Sequence, residues 1–289
     1  MIDREDTVDG WVFLNGQILP LGEAWISPLD RGFQYGDGVF TTLRAESGRP
    51  LYLTEHLARL AHSLSDLRIA AEHLQRTDWP DVLGELLQRN GLQSGSAAVK
   101  IIVTRGVALP LGLPEVVRPT LFIQARRYQP PSPEQYARGW RLHICRQGYA
   151  PPLARHKSLN YLFYMVARQM AVDVGADEAV ILDARGRLTE TAAGTLLARS
   201  DGNWWTPDNP YQLPGVTLEQ IQKILQLRGR PVESRSAAPE DLTKAQTIWV
   251  LNSLLGVMPV RSVDGHELPV PAAEEARGLR EELFFRGRS

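Results

Sequence analysis

The chain has 289 residues, of which 43% are hydrophobic and 22% charged, and its formal net charge is −1. This length can bury a sizeable core and suits two domains better than one. The near-neutral charge argues against nucleic acid or an anionic membrane as the main partner, because both require a basic surface. The acidic N-terminus lacks the basic-then-apolar order of a secretory signal, and no apolar run approaches the ~18 residues of a transmembrane helix. The single cysteine, Cys145, suits a reducing compartment, so we expect a cytoplasmic protein.

The first 128 residues are predicted to form a small α/β domain. An alternating apolar stretch predicts a hairpin that turns at Asn15-Gly16, and a loop over residues 30–38 leads into a strand. Thr54 can cap an amphipathic helix whose apolar stripe begins at Leu57. A second helix over Trp79–Arg89 and two strands, over residues 97–104 and 120–125, complete this domain.

The proline-rich residues 129–133 predict a stiff linker, since proline cannot continue either neighbouring element. Beyond it, residues 134–289 are predicted to form a larger α/β domain. Its expected strands are residues 140–145, 178–182, 195–199 and 247–251, and its expected helices are residues 159–173, 217–227 and 274–286. The coarse prediction is therefore a two-domain α+β or α/β protein.

Lysine-dependent chemistry has few candidates, because only four lysines occur in the chain. Lys157 is predicted to stand at the start of the helix over residues 159–173, where the positive helix terminus favours the neutral amine. A neutral amine is the form that Schiff-base chemistry requires. The alternative is an ordinary solvated lysine in a first helical turn.

Three further features suit a phosphorylated pyridine cofactor, although each also has an ordinary structural explanation. Glu190, between two predicted strands, could hold a proton on a pyridine nitrogen. Thr217 and Gln220 have the spacing of a capping box, and Gly215 before them allows close approach to the free amides of a helix start. Arg59 lies off the apolar stripe of its helix and could reach a phosphate. The six histidines show no metal-ligand spacing, so no metal is expected.

These motifs occur in an order that resembles the class IV (fold type IV, branched-chain aminotransferase-like) family of pyridoxal-phosphate enzymes. The family includes branched-chain aminotransferases, D-amino acid transaminases and aminodeoxychorismate lyases. The resemblance extends from about Trp11 to Arg261. The blocks that carry it are Asp30-Arg31-Gly32-Phe33-Gln34-Tyr35-Gly36-Asp37-Gly38-Val39-Phe40, Glu55-His56-Leu57-Ala58-Arg59-Leu60, Lys157-Ser158-Leu159-Asn160-Tyr161, Thr189-Glu190-Thr191 and Leu213-Pro214-Gly215-Val216-Thr217.

The resemblance implies a small N-terminal and a larger C-terminal α/β domain with the active site between them, in a homodimer. It implies pyridoxal 5'-phosphate bound as a Schiff base to Lys157, with Glu190 on the pyridine nitrogen. Arg59 and the amides of Val216 and Thr217 would hold the phosphate. The other implied contacts are those of Tyr161 and Ser253 with the cofactor and those of Phe40, Lys100 and Asn252 with the substrate.

The residues around Phe40 and residues 251–260 resemble the lyases, and Lys100 lies where the lyases have lysine. The loop over residues 105–113 lacks both the glycine-rich Arg-Gly-Tyr sequence of lyases and the Arg-x-His of D-amino acid transaminases. We therefore expect an aminodeoxychorismate lyase, which converts 4-amino-4-deoxychorismate to 4-aminobenzoate and pyruvate in folate biosynthesis. Lys157 would be its general base, and either Lys157 itself or a nearby hydroxyl, that of Thr41 or Thr42, would assist the leaving group.

The alternative is an aminotransferase for branched-chain or aromatic L-amino acids, or for D-amino acids. It would use the same lysine and the same cofactor. A protein that binds the cofactor without turnover is a third hypothesis, which Lys157 and Glu190 disfavour because such a protein needs neither residue.

Overall fold

The computed structural model describes residues 10–114, 118–147, 152–269 and 273–288. These residues form two compact units. The first contains the described residues up to Gln129 together with Lys157–Asn160 and Arg288. The second contains those of Pro130–His156 and Tyr161–Gly287.

The first unit contains a six-stranded sheet in the order β2-β1-β6-β5-β3-β4, with antiparallel neighbours throughout. Its strands are β1 (Trp11–Leu14), β2 (Gln17–Pro20), β3 (Gly38–Glu46), β4 (Arg49–Pro50), β5 (Ser96–Thr104) and β6 (Thr120–Arg127). Its helices are α1 (Arg31–Tyr35), α2 (Leu53–Asp66), α3 (Glu72–Arg76) and α4 (Trp79–Arg89), with a 3-10 turn over Leu21–Glu23.

One face of this sheet forms the core of the first unit with α2 and α4. Val39 and Leu43 of β3 and Ile101 of β5 are fully buried there, together with Leu64 of α2 and Leu83 of α4. The leucines recur at helical spacing and the strand residues alternate, which explains why this face attracts the helices.

The second unit contains a nine-stranded sheet in the order β12-β11-β10-β13-β14-β7-β8-β9, with β15 paired to β14. Its strands are β7 (Trp140–Cys145), β8 (Glu178–Leu182), β9 (Leu188–Thr191), β10 (Thr195–Ser200), β11 (Asn203–Pro207), β12 (Val232–Arg235), β13 (Thr247–Asn252), β14 (Gly256–Val263) and β15 (His266–Glu267). Its helices are α5 (Pro133–Arg138), α6 (Leu162–Asp173), α7 (Val216–Leu227), α8 (Pro239–Thr243) and α9 (Ala273–Arg286), with a 3-10 turn over Pro152–Arg155.

The predicted linker ends in a helix, because Ser132 and Gln135 form a capping box and Pro133 begins α5.

The strand β14 pairs in parallel with β7, which pairs in parallel with β8. Strands buried on both faces need no alternation. This explains why β8 and β9, whose residues are all buried, show no alternation of buried and exposed residues.

No helix in the described parts of the chain is long and apolar enough to cross a membrane.

Candidate active site

The segment that carries Lys157 belongs to the first unit, where it runs beside the start of β3. The Phe40 amide donates to the Lys157 carbonyl over 2.8 Å, and the Leu159 amide donates to the Gly38 carbonyl over 3.0 Å. Glycine is required at position 38, since a Cβ there would lie 2.6 Å from the Val103 carbonyl oxygen. The expected position of Lys157 at a helix start is wrong, because α6 begins only at Leu162.

Two lysines approach the same aromatic ring. The Lys157 Nζ lies 4.8 Å and the Lys100 Nζ 4.6 Å from the centroid of the Phe40 ring, within the range of a cation–π contact. Burial, and then the positive charge of Arg126, lower the pKa of the Lys100 ammonium. Phe40 itself is 8% exposed. The structure thus brings together Phe40, Lys100 and Lys157 as the sequence predicts.

Thr41 and Thr42 point to opposite faces of the sheet, as successive strand residues do. Thr42 lies opposite Lys100 in the β3–β5 register, and the two side chains share a face. Thr41 is fully buried on the other face, where its Oγ1 lies 2.8 Å from the Nδ1 of His56.

Arg59 approaches Thr41 from α2, and its Nη2 donates to the Thr41 Oγ1 over 3.1 Å. His56 lies one helical turn before Arg59 and is 1% exposed. Sequence reasoning gave His56 no role, although its spacing of three residues from Arg59 places both on one face of a helix.

In the second unit, Glu190 lies within β9 rather than between strands. Its side chain is buried, and its Oε2 accepts a 3.3 Å hydrogen bond from the Leu213 amide. This bond ties the carboxylate to the segment that leads into α7.

Gly215 is the N-cap of α7, and the predicted capping box at Thr217 is wrong. Thr217 lies in the first turn, with its Oγ1 3.5 Å from the Ser253 Oγ. A Cβ at position 215 would lie 2.7 Å from the Oγ1 of Thr195, so the backbone here needs glycine for space. No side chain caps the helix, which leaves first-turn amides, those of Val216 and Thr217 among them, available to an anion.

Tyr161 and Asn252 hold neighbouring peptide groups. The Tyr161 hydroxyl donates to the Ala192 carbonyl over 2.8 Å, and the Asn252 Nδ2 donates to the Ala193 carbonyl over 3.0 Å. Burial, together with the carboxyl groups of Glu190 and Glu178, raises the pKa of Tyr161, so its phenol stays neutral.

The Asn252 Oδ1 accepts from the amides of Leu254 and Leu255, each over 3.0 Å. An asparagine amide offers two N–H groups, and one of those in Asn252 is not used by these bonds. Asn252 therefore shapes the turn that carries Ser253.

The described residues fit pyridoxal phosphate by the chemistry of their groups. Among them are the Lys157 amine, the Arg59 guanidinium, the buried Glu190 carboxylate and the uncapped start of α7. A Schiff-base amine, a carboxylate for a pyridine nitrogen and two kinds of phosphate donor are the groups this cofactor requires. Among the residues that the structure describes, no cluster of His, Cys, Asp and Glu could hold a metal ion.

Comparison with known proteins agrees with this assignment. Residues 38–263 match the family model for Amino-transferase class IV. A Methanocaldococcus jannaschii protein named as a candidate branched-chain-amino-acid aminotransferase is 32% identical over 88% of both chains. D-alanine aminotransferase of Staphylococcus haemolyticus is 31% identical over 89% of this chain and 90% of the relative. Aminodeoxychorismate lyase of Vibrio harveyi is 29% identical over 88% of this chain and 94% of the relative.

A solved structure also shares the fold of this chain. The branched-chain amino acid aminotransferase of T.th., solved with pyridoxamine 5'-phosphate, superposes with a TM-score of 0.84 at 26% identity, covering 97% of this chain and 95% of that one. The chain belongs to the class IV aminotransferase family. It is a fold type IV, pyridoxal-phosphate-dependent enzyme, either a lyase or an aminotransferase.

Proposed function

We propose that the protein is an aminodeoxychorismate lyase, which converts 4-amino-4-deoxychorismate to 4-aminobenzoate and pyruvate. The observation that carries this proposal is the second ammonium group, that of Lys100, on the Phe40 ring beside Lys157. The substrate carries two carboxylates, and a half-buried ammonium next to the reactive amine complements a carboxylate. The similarity to the Vibrio harveyi lyase supports the same assignment.

The cofactor would be held by residues of both units. Lys157 would bind it covalently, Glu190 would keep its pyridine nitrogen protonated, and Tyr161 would contact it. Arg59, the amides of Val216 and Thr217, and the Ser253 hydroxyl would hold its phosphate. When bound, pyridoxal phosphate supplies an electron sink for the carbon that bears the substrate amine.

The protein's own groups would move the proton that the reaction transfers. The Lys157 Nζ, as general base, would take the proton from the amine-bearing carbon and return it to the leaving enolpyruvyl group, which departs as pyruvate. Thr42 shares a sheet face with Lys100, and its hydroxyl would donate a hydrogen bond to the oxygen of that leaving group. Thr41 is bonded to His56 and Arg59 on the opposite face, so we assign the leaving-group role to Thr42 alone. Lys100 would hold a substrate carboxylate, with Phe40 and the Asn252 amide beside the substrate.

The lyase assignment predicts equal amounts of 4-aminobenzoate and pyruvate from 4-amino-4-deoxychorismate. The first can be measured by its fluorescence and the second by a coupled dehydrogenase. Lys157→Ala should abolish both products and the visible absorption of the lysine-bound cofactor. The matched control is Lys244→Ala, because Lys244 is exposed and lies outside the candidate site. A cofactor-loaded protein that released neither product would refute the lyase.

The second candidate is an aminotransferase for branched-chain, aromatic or D-amino acids, which the two aminotransferases among the relatives favour. It would use Lys157 as the same general base. An amino acid should then convert the bound cofactor to its pyridoxamine form and release a keto acid. A panel of L- and D-amino acids that leaves the spectrum unchanged would exclude this candidate.

We also propose a homodimer, which exposed apolar side chains support in two segments of the first unit, the loop and helix over residues 24–35 and the loop over residues 107–113. Trp25, Phe33, Leu109 and Leu111 are each more than three-quarters exposed. Arg31 fixes the second segment to the first, since its Nη1 and Nη2 donate to the carbonyls of Pro110 and Gly112 over 2.9 Å each. Large exposed apolar patches mark protein contacts, and we assign this one to a second copy of the chain.

We propose a cytoplasmic location as well, supported by the buried free thiol of Cys145. Fractionation of cells that express the tagged protein would test it, and recovery outside the cytoplasm would contradict it.

A further inference from the structure

A buried histidine contacts the predicted phosphate anchor through one threonine. His56, in the first turns of α2, is 1% exposed, and Thr41, in the middle of β3, is fully buried. The Thr41 Oγ1 lies 2.8 Å from the His56 Nδ1 and 3.1 Å from the Arg59 Nη2. The three side chains thus form a short chain of hydrogen bonds that ends at the guanidinium.

The direction of these hydrogen bonds follows from the chemistry of the three groups. A guanidinium can only donate, so the Arg59 N–H points at the Thr41 oxygen. The Thr41 hydroxyl hydrogen then has the His56 Nδ1 as its acceptor, because a buried hydroxyl without an acceptor is unfavourable. His56 must therefore carry its proton on Nε2.

His56 keeps this acceptor over the working pH range. Burial, and then the positive charges of Arg59 and Lys157, lower the pKa of His56 from 6.5 to about 3. A protonated imidazole would turn Nδ1 into a donor and would oppose the Thr41 hydroxyl. The neutral ring instead orients that hydroxyl so that its oxygen lone pair faces Arg59.

We propose that His56 and Thr41 are positioning residues, which hold the Arg59 guanidinium in the orientation that binds the cofactor phosphate. The proposal rests on the proposed role of Arg59. An arginine side chain loses rotamer freedom when it is fixed, and this loss opposes binding. A guanidinium that is already held in place before the phosphate arrives avoids part of that cost during binding.

A purely structural role is the competing explanation, in which the three groups only satisfy one another's hydrogen bonds. The two explanations differ in what the loss of the hydroxyl changes. A structural role affects unfolding alone, whereas a positioning role weakens binding of a phosphorylated ligand and spares its phosphate-free analogue.

The experiment compares dissociation constants of pyridoxal 5'-phosphate and pyridoxal on the full-length chain freed of cofactor. The ratio of the pyridoxal dissociation constant to the pyridoxal 5'-phosphate dissociation constant measures what the phosphate contributes. Thr41→Val keeps the shape of the side chain and removes the hydroxyl, so it should weaken pyridoxal 5'-phosphate roughly tenfold and leave pyridoxal unchanged. Thr41→Ser keeps the hydroxyl and should keep the ratio of the unaltered protein.

A second pair of variants tests the histidine. His56→Leu removes the acceptor and should lower the ratio, and His56→Asn offers an oxygen close to the Nδ1 position and should restore most of it. Ser63→Ala is the control for general damage to α2, because Ser63 is a buried polar residue of the same helix, about two turns after His56.

Each outcome has one meaning. If Thr41→Val and His56→Leu lower the melting temperature but keep the ratio, the positioning role is refuted. If Arg59→Ala keeps the ratio as well, Arg59 does not bind the phosphate, and the positioning role of His56 and Thr41 is refuted too. The lyase proposal is tested separately, by the release of 4-aminobenzoate and pyruvate.

Discussion

Glu178 begins β8 with a carboxyl group that is fully buried and only half satisfied. Its Oε1 accepts a 2.9 Å hydrogen bond from the Ala179 amide, and its Oε2 has no partner among the described residues. Burial raises the pKa of Glu178 from 4.5 to about 7, against the opposing effects of backbone amides and Arg168. A carboxyl group in this position is most stable when it is protonated.

Substitution of Glu178 should therefore change the pH dependence of stability. Because its pKa is higher in the folded than in the unfolded chain, its contribution is complete below pH 4.5 and is lost as the pH rises through about 7. Glu178→Gln does not titrate, so relative to the unaltered protein it should gain on the order of 2 kcal/mol between pH 5 and pH 8. Urea unfolding at both pH values measures this gain.

Glu219→Gln is the control, because Glu219 lies exposed on α7 in an ion pair with Lys223. It should show little difference between the two pH values. A Glu178→Gln variant whose stability relative to the unaltered protein is the same at both would show that Glu178 is not protonated in the folded chain.

Sequence patterns predicted which residues form the candidate site, but not which side chains those residues contact. Phe40, Lys100 and Lys157 were predicted from the family's order of motifs, and the structure brings them together. The bond between His56 and Thr41 depends on how α2 lies on β3. No pattern within α2 or β3 alone contains that information.

Asp37 forms ion pairs with two arginines from different segments of the chain, Arg31 and Arg105, and we call this cluster the Asp37 clamp. Asp37 accepts from Arg31 at the start of α1 over 2.7 Å and from Arg105 after β5 over 2.8 Å. Burial would raise the pKa of Asp37, but the two guanidinium groups outweigh it and hold that pKa below its usual range. Arg105 also donates to the carbonyls of Leu67 and Arg68, so its guanidinium joins Asp37 to the segment that follows α2.

Asp37→Asn should destabilise the protein by about 3 kcal/mol, because it leaves two buried arginines without a counter-charge. The free energy of unfolding in urea measures this loss. Glu85→Gln breaks the exposed pair with Arg89 on α4 and should cost less than about 1 kcal/mol. Equal effects of the two substitutions would contradict the clamp.

Element boundaries were predictable where local signals are strong. The helix α4 spans the predicted Trp79–Arg89, because Asp78 caps its start and Asn90-Gly91 ends it. The strand β9 was missed, because all four of its residues are buried and none gives the alternation of a half-exposed strand. Thr217 suggested a cap, but the helix starts one residue earlier, after Gly215.

At the scale of the whole molecule, the two apolar segments of the first unit, residues 24–35 and 107–113, predict a dimer that substitutions can dissociate. Leu109→Ser combined with Leu111→Ser should shift the protein toward monomer, as analytical ultracentrifugation would show. Phe285→Ser is the matched control, because Phe285 lies outside these two segments. It is an apolar side chain of α9 and is 73% exposed. A protein that sediments as a monomer without any substitution would refute the proposed assembly.

The four residues Lys157–Asn160 belong to the first unit, although the chain on both sides of them belongs to the second. Lys157, the proposed Schiff-base lysine, is thus held by β3, a strand more than 100 residues earlier in the sequence. A chimera that exchanges residues 1–129 between two relatives would separate the lysine from its own strand. Exchange of residues 157–160 together with that segment should preserve the pairing, so the part of the chain that folds with β3 is discontinuous in the sequence.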